Sequence, residues 1–397
     1  MRKKQGITIA IYTITILISL LISYFGSLYY TSKMPVIENP QYDSAQFHNA
    51  KITAIISDKP SNNENDFGIV QEVIFKATIS KGPYQHREIT VRQQFTLQTM
   101  EELYPIKAGD SVILYRIDFG SNIEWVLVSY QRESPLWFLS GIFVVLIILF
   151  GRMKGFSSIV SLGFTIFAIF FILIPAILSN VNIYALSLGI VLYVTLLTFI
   201  LLSGISKKTI AATVGCFGGI AVAAVIAYTW MEIMKMSGVL SDEYIYLILL
   251  KDEIPIDLRG IMFIAVIIGA LGAIMDVSMS IASALEEIMI NSPNIKPAEV
   301  VTSGLNIGRD IMGTMSNTLI LAYIGSALPF ILLLIIYARP ASLLANSEYI
   351  ASEIMQAVAG SLGILFAMPI TALTTAALYK ASIKKVRNID PNSELKE

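Results

Sequence analysis

Five side chains able to do chemistry occupy an unusual setting. Asp276, Asn306, Arg309, Asp310 and Asn317 lie within or between long apolar runs. An ionised group near the centre of a bilayer costs about 2.5–3.5 kcal/mol on insertion scales, so it must find a partner or face a wet cavity. On a helix, Asp276, Ser280, Ser283 and Glu287 follow one another at spacings of four, three and four and share one stripe. Ser303, Asn306, Asp310, Gly313 and Asn317 alternate threes and fours in the same way. Two carboxylates, an arginine and two amides suit the binding of a proton or a cation. Arg309 would balance the carboxylates or meet an anionic substrate, and the amides would orient the ligand.

A purely structural role competes with that reading. Asp276 and Arg309 would then neutralise each other, while Ser278, Ser280, Ser283, Thr371, Thr374 and Thr375 bond neighbouring helices. An intramembrane carboxylate dyad of Asp276 and Asp310 is a third reading, since mutual repulsion would raise one of the two pKa values. No recognised aspartyl-protease motif surrounds either residue, and neither histidine lies in an apolar run. With no Ser–His pair, histidine metal site or Walker A pattern, the chain reads as a non-enzyme without a cofactor.

These residues must be positioned by membrane helices. Of 397 residues, 55% are hydrophobic and only 14% charged, with a mean hydropathy of +0.69. Soluble domains carry about 25% charged residues. The net charge of -1 gives a nucleic-acid partner no support. Cys216 is the single cysteine, so no intrachain disulfide forms, and its small apolar neighbours indicate packing. Apolar segments are expected to span the bilayer at about 7–28, 136–150, 157–178, 183–203, 209–231, 260–282, 314–337 and 357–379, about eight in all. Arg152, Lys154, Lys207, Lys208, Lys296 and the cluster Lys380, Lys384, Lys385 and Arg387 fall on the side of the N-terminal Arg2-Lys3-Lys4. The positive-inside rule then assigns both termini to the cytoplasm and residues 36–134 to the outside.

Between the first two spans the pattern turns to strands: Phe47–Ser57, Ile69–Ser80, Glu88–Phe95, Ser111–Phe119 and Ile123–Tyr130. Val73, Phe75, Ala77 and Ile79 alternate with Lys76 and Thr78, and turns at Lys81-Gly82-Pro83 and Lys107-Ala108-Gly109-Asp110 separate the strands. With a short helix at Gln98–Tyr104 the order is that of a small OB-like β-barrel. His48 and His86 are expected at its surface. The fold class is therefore a polytopic α-helical membrane protein of about eight transmembrane helices with an extracytoplasmic OB-like barrel. Its parts are an anchor (1–35), the barrel domain (36–134), a multi-helix domain (135–380) and a cytoplasmic tail (381–397). The acidic loop Ser237–Arg259 reads as an interfacial helix or lid.

Three glycines add a constraint. One helix from Ala298 to Tyr337 would be about 60 Å long, twice the hydrocarbon thickness. A break is expected at Gly304, Gly308 or Gly313. The stretches 274–280 and 311–317 also echo each other, as interrupted inverted pairs do in transporters.

Two runs carry a resemblance: Met275-Asp276-Val277-Ser278-Met279-Ser280-Ile281-Ala282, and the longer stretch from Ser303 to Ile320 that contains Asn306-Ile307-Gly308-Arg309-Asp310-Ile311-Met312-Gly313-Thr314-Met315-Ser316-Asn317. Together they resemble the signature of the YibE/F family over roughly Pro135 to Lys380. That resemblance implies a bacterial, multi-pass cell-membrane protein with no established substrate. Combined with the polar centre, it gives a secondary transporter or exporter with a site between the sixth and seventh helices. The alternative is a non-transporting envelope scaffold whose outer domain binds a partner. Expected partners are the lipid bilayer and a second YibE/F-type subunit or another copy of the chain.

Overall fold

The computed structural model describes residues 2–33, 46–60, 69–96, 106–118, 123–179, 181–240, 243–249, 256–292, 294–337, 340, 342–343 and 346–389. Two compact units emerge: Val36–Leu146, and Met1–Pro35 with Ile147–Glu397. The first unit thus runs past 134 and takes in the start of a helix.

Its five strands are β1 (Phe47–Pro60), β2 (Ile69–Ile79), β3 (Glu88–Thr96), β4 (Ser111–Asp118) and β5 (Ile123–Tyr130). The sheet order is β3-β2-β1-β4-β5, with every neighbouring pair antiparallel. Bulges between Ile52/Ala54 and Ile55/Ser57 bend β1, so its first half pairs β4 while the rest continues along β2. Across the seam Leu127 N–H donates to Gln93 Oε1 at 3.0 Å, which nearly closes a barrel. Val73, Phe75, Ala77 and Ile79 all point into its core with Ile52, Val91, Val112 and Leu114, as their alternation required. Gly109 holds φ +98° at the β3–β4 connection, where its N–H reaches Ile52 O at 2.8 Å. The expected helix at 98–104 lies outside the described residues.

His48 departs from expectation. It is buried, with its ring edge-on to Tyr84 at 5.4 Å and Trp125 at 5.3 Å. Burial, and then the Arg116 charge, push its pKa below the ordinary histidine value.

In the second unit, α1 (Arg2–Thr31) leads the chain. Helix α2 (Glu133–Ala168) starts in the first unit and ends in the second. It contains one non-helical residue, Arg152, at φ 50°, ψ −131°. The chain folds back so tightly there that a Cβ on Gly155 would strike the Ile147 carbonyl. A π-helical turn at Ile169–Leu173 then precedes α3 (Ile174–Leu178). Pro175, which has no N–H to give the regular ladder, sits at the start of α3. Next come α4 (Ile183–Ser203), α5 (Lys207–Ile233), α6 (Glu243–Leu249) and α7 (Leu258–Asn291). The last two are α8 (Pro297–Ile336) and α9 (Glu348–Ile389). Caps explain several of these starts. Asn182, Ser206 and Asp257 accept from the N–H groups of Ala185, Thr209 and Gly260.

Among the described residues seven helices are long and apolar enough to cross a membrane. Eight spans were expected, and the difference lies in Glu133–Leu178, a single 46-residue stretch by this measure. The expected break in α8 is absent. Gly304 and Gly308 serve packing instead: an added Cβ would lie 2.7 Å from Ala372 Cβ and 2.5 Å from Met368 Sδ of α9. Neither echoing stretch, 274–280 or 311–317, is interrupted.

Helix α9 packs against α5, α7 and α8. Small residues allow the approach. A Cβ on Gly219 would lie 2.5 Å from Gly363 O, and one on Gly363 would lie 2.6 Å from Ile274 Cδ1. Cys216 is fully buried in this core. The threonines expected to bridge helices mostly bond their own. Thr371, Thr374 and Thr375 donate to the carbonyls of Ala367, Ile370 and Thr371.

Candidate functional site

Asp276 belongs to the fifth turn of α7. Residues Ile274, Val277, Ser278 and Ile281 turn into the core, while Gly272, Asp276 and Ser280, each four apart, form an exposed stripe. Nothing approaches a Cβ built on Gly272. Asp276 forms no hydrogen bond or ion pair among the described residues.

On α8 the split is equally clear. Gly304 and Gly308 face α9, whereas Asn306, Arg309, Asp310 and Asn317 are all exposed. Arg309 Nη1 donates to Asn306 Oδ1 at 3.2 Å, one turn back on the same helix. Among the described residues Arg309 pairs with neither Asp276 nor Asp310, so the mutual neutralisation expected of a structural pair is not formed. A cavity of about 330 Å³ opens beside Arg309, lined by Leu305, Met312, Leu365, Phe366, Met368 and Pro369. Apart from the guanidinium its walls are apolar.

The two glutamates at the end of α7 have structural partners. Lys208 Nζ meets Glu286 Oε2 at 2.7 Å, Tyr379 donates to Glu286 Oε1 at 3.1 Å, and Lys207 lies 4.6 Å from the Tyr379 ring centre. This cluster ties α5, α7 and α9 together. Glu287 accepts from Asn291 at 3.1 Å.

The sequence reading missed a third carboxylate. Glu353 of α9 is half-buried and accepts from Ser326 Oγ at 3.5 Å. On the same stretch of α8 the Tyr323 hydroxyl is buried without a hydrogen-bond partner among the described residues, packed against Gly269 of α7. Glu353 escaped notice because the last apolar run begins near 357. The signal was present: Ser352, Met355, Gln356 and Ala359 repeat at helical spacing and are all buried, carrying the span back to Glu348. Among the described residues no group of three His, Cys, Asp or Glu side chains could hold a metal ion.

Seven apolar helices and a nearly closed five-stranded barrel define a multi-spanning helical membrane protein with an appended β domain. The model of the YibE/F-like protein family matches residues 139–381, more than half of the chain, and the chain belongs to that family. Comparison with curated proteins and with solved structures returns no match.

Proposed function

We propose that the chain is a secondary transporter or exporter of the cell membrane, in which Asp276 carries a proton or cation. The observation that supports this reading is the state of Asp276: an exposed carboxylate, unpaired among the described residues, on a helix whose apolar stretch is long enough to span. Taking 260–282 as the span, Asp276 lies about 7.5 Å from its midpoint at ~1.5 Å per residue. A group placed there without a protein partner is a functional group by default. Asn306, Arg309, Asp310 and Asn317 form a second exposed polar stripe, on α8.

The topology in this reading has eight crossings. As one straight helix Glu133–Leu178 would be about 69 Å long at ~1.5 Å per residue, more than twice the ~30 Å core, and in this reading the fold-back at Arg152 divides it into two passes. Both termini are then cytoplasmic and the OB-like barrel extracytoplasmic, in keeping with the basic residues near Arg152, Lys207 and Lys296.

The test is flux through purified protein in sealed liposomes. With an outward pH gradient, or outward Na⁺ or K⁺ gradients, wild-type vesicles should dissipate at least one gradient faster than protein-free vesicles. The scaffold reading expects no difference under any gradient, and that result would sink transport by ions of these classes.

A further inference from the structure

We propose that two copies of this chain pair side by side through the outward face of α8, running parallel about a twofold axis normal to the membrane. Asn306, Asp310, Gly313, Asn317, Ile320 and Ile324 succeed one another at four, three, four, three and four residues. All six are exposed. Asn306, Gly313 and Ile320, and likewise Asp310, Asn317 and Ile324, recur every seven residues, the repeat of the seam along which two helices supercoil. The seam is separate from the face of α8 already in use, where Gly304 and Gly308 meet α9. Of the seven apolar helices α8 is the least buried.

Three features select a second copy as the occupant. First, the face is charge-complementary to itself. Arg309 and Asp310 are neighbours at one level, so a parallel twofold pair sets Arg309 of each copy beside Asp310 of the other, making two reciprocal ion pairs. Neither residue has an ion-pair partner among the described residues. Second, Asn306 and Asn317 each carry both donor and acceptor, so symmetry-related amides satisfy one another; a lipid acyl chain would satisfy neither. Third, Gly313 stands at the middle of the seam with nothing within 4 Å of an added Cβ. A small residue there lets a second backbone approach. The polar half of the seam precedes its apolar half, Ile320 and Ile324. Only a parallel arrangement matches polar with polar and apolar with apolar; an antiparallel one would set Asp310 against the apolar end.

The inference rests on the membrane placement of α8 given above but not on transport. Its readout is association, so a chain that pairs without moving ions leaves it intact and removes only the transport reading. The full chain with Cys216→Ser receives single cysteines in native-like vesicles, at Asn306, Gly313, Asn317 and Ile324 on the seam, and at the exposed Thr318 and Gly325 off it. Mild oxidation should give disulfide dimers at the four seam positions at least fivefold faster than at the two controls. Equal rates, or none, would overturn the pairing. In lipid nanodiscs the particle mass should correspond to twice the 43.6 kDa chain. A monomer, or one chain with an unrelated protein, would contradict it. Gly313→Leu fills open space in a single copy, so it should leave the fold intact and yield monomers; persistence of the dimer would refute the seam. Arg309→Asp alone and Asp310→Arg alone should each weaken pairing, and co-expression of the two should restore it as a mixed dimer.

Discussion

Gly219→Ala and Gly189→Ala are the same substitution in two helices with opposite surroundings. A Cβ on Gly219 would lie 2.5 Å from Gly363 O, 2.8 Å from Ala367 Cβ and 3.0 Å from Ile274 Cγ2. Carbon contacts are comfortable at about 3.5–4.0 Å, so α5 and α9 would have to separate by roughly 1 Å. Two of the three obstacles are a backbone oxygen and a Cβ, which cannot swing aside. Overpacking of this kind costs about 1–3 kcal/mol. At Gly189 an added Cβ meets nothing within 4 Å. Both variants share the gain of alanine over glycine in a helix, about 1 kcal/mol. The difference between them therefore isolates the packing cost, about 1–3 kcal/mol, or roughly 5- to 150-fold in the folding equilibrium. The assay is loss of monodisperse protein on heating in detergent. Gly189→Ala should match or exceed the wild type, and Gly219→Ala should fall clearly below both. Superimposable melting of the two variants would refute the close α5–α9 packing.

Other outcomes are equally open to measurement. The barrel, expressed as residues 36–134, should unfold cooperatively with a β-type circular dichroism spectrum; a helical or featureless spectrum would contradict its fold. Because burial lowers the His48 pKa, the unfolded chain binds more protons. Stability should then be complete above the ordinary value of about 6.5 and decline as pH falls toward the depressed folded value. His48→Gln should flatten that slope between pH 7 and 5, and an unchanged slope would assign it elsewhere. Lys208→Met and Glu286→Gln should each lower thermal stability by about 1 kcal/mol, with a double variant less harmful than the two losses summed; full additivity would show that the 2.7 Å contact carries nothing. A cysteine at the exposed Lys81, in a Cys216→Ser background, should react with an impermeant thiol reagent on intact cells; reaction only after lysis would invert the topology.

Local chemistry made much of this fold legible. The five strands begin where alternation begins, and Gly109 turns the chain where its positive φ is needed. Helix starts at Ile183, Lys207 and Leu258 follow from the capping side chains before them. Part of what failed depended on distant partners. Gly304 and Gly308 read as helix breakers because Ala372 and Met368, which fill the space beside them, lie some sixty residues on. His48 could have been placed from its own strand. It alternates with Ala50 and Ile52, both buried, but a lone histidine was assigned to the surface on residue type. The polar stripes on α7 and α8 were legible as stripes. Whether they faced inward or outward was not, because spacing fixes a face and only packing decides what covers it.

The central claim is that Asp276 carries the transported or coupling ion, and proton or cation flux by single variants tests it most directly. Wild-type, Asp276→Asn and Asp276→Glu proteins would be reconstituted at equal density under the gradient that the wild type dissipates, with folding checked by thermal stability. Asp276→Asn keeps the volume and removes the charge, and since the carboxylate has no partner among the described residues to strand, the protein should remain stable. Flux should fall to the protein-free level with Asp276→Asn and persist in part with Asp276→Glu. Wild-type flux through a stable Asp276→Asn protein would contradict the claim.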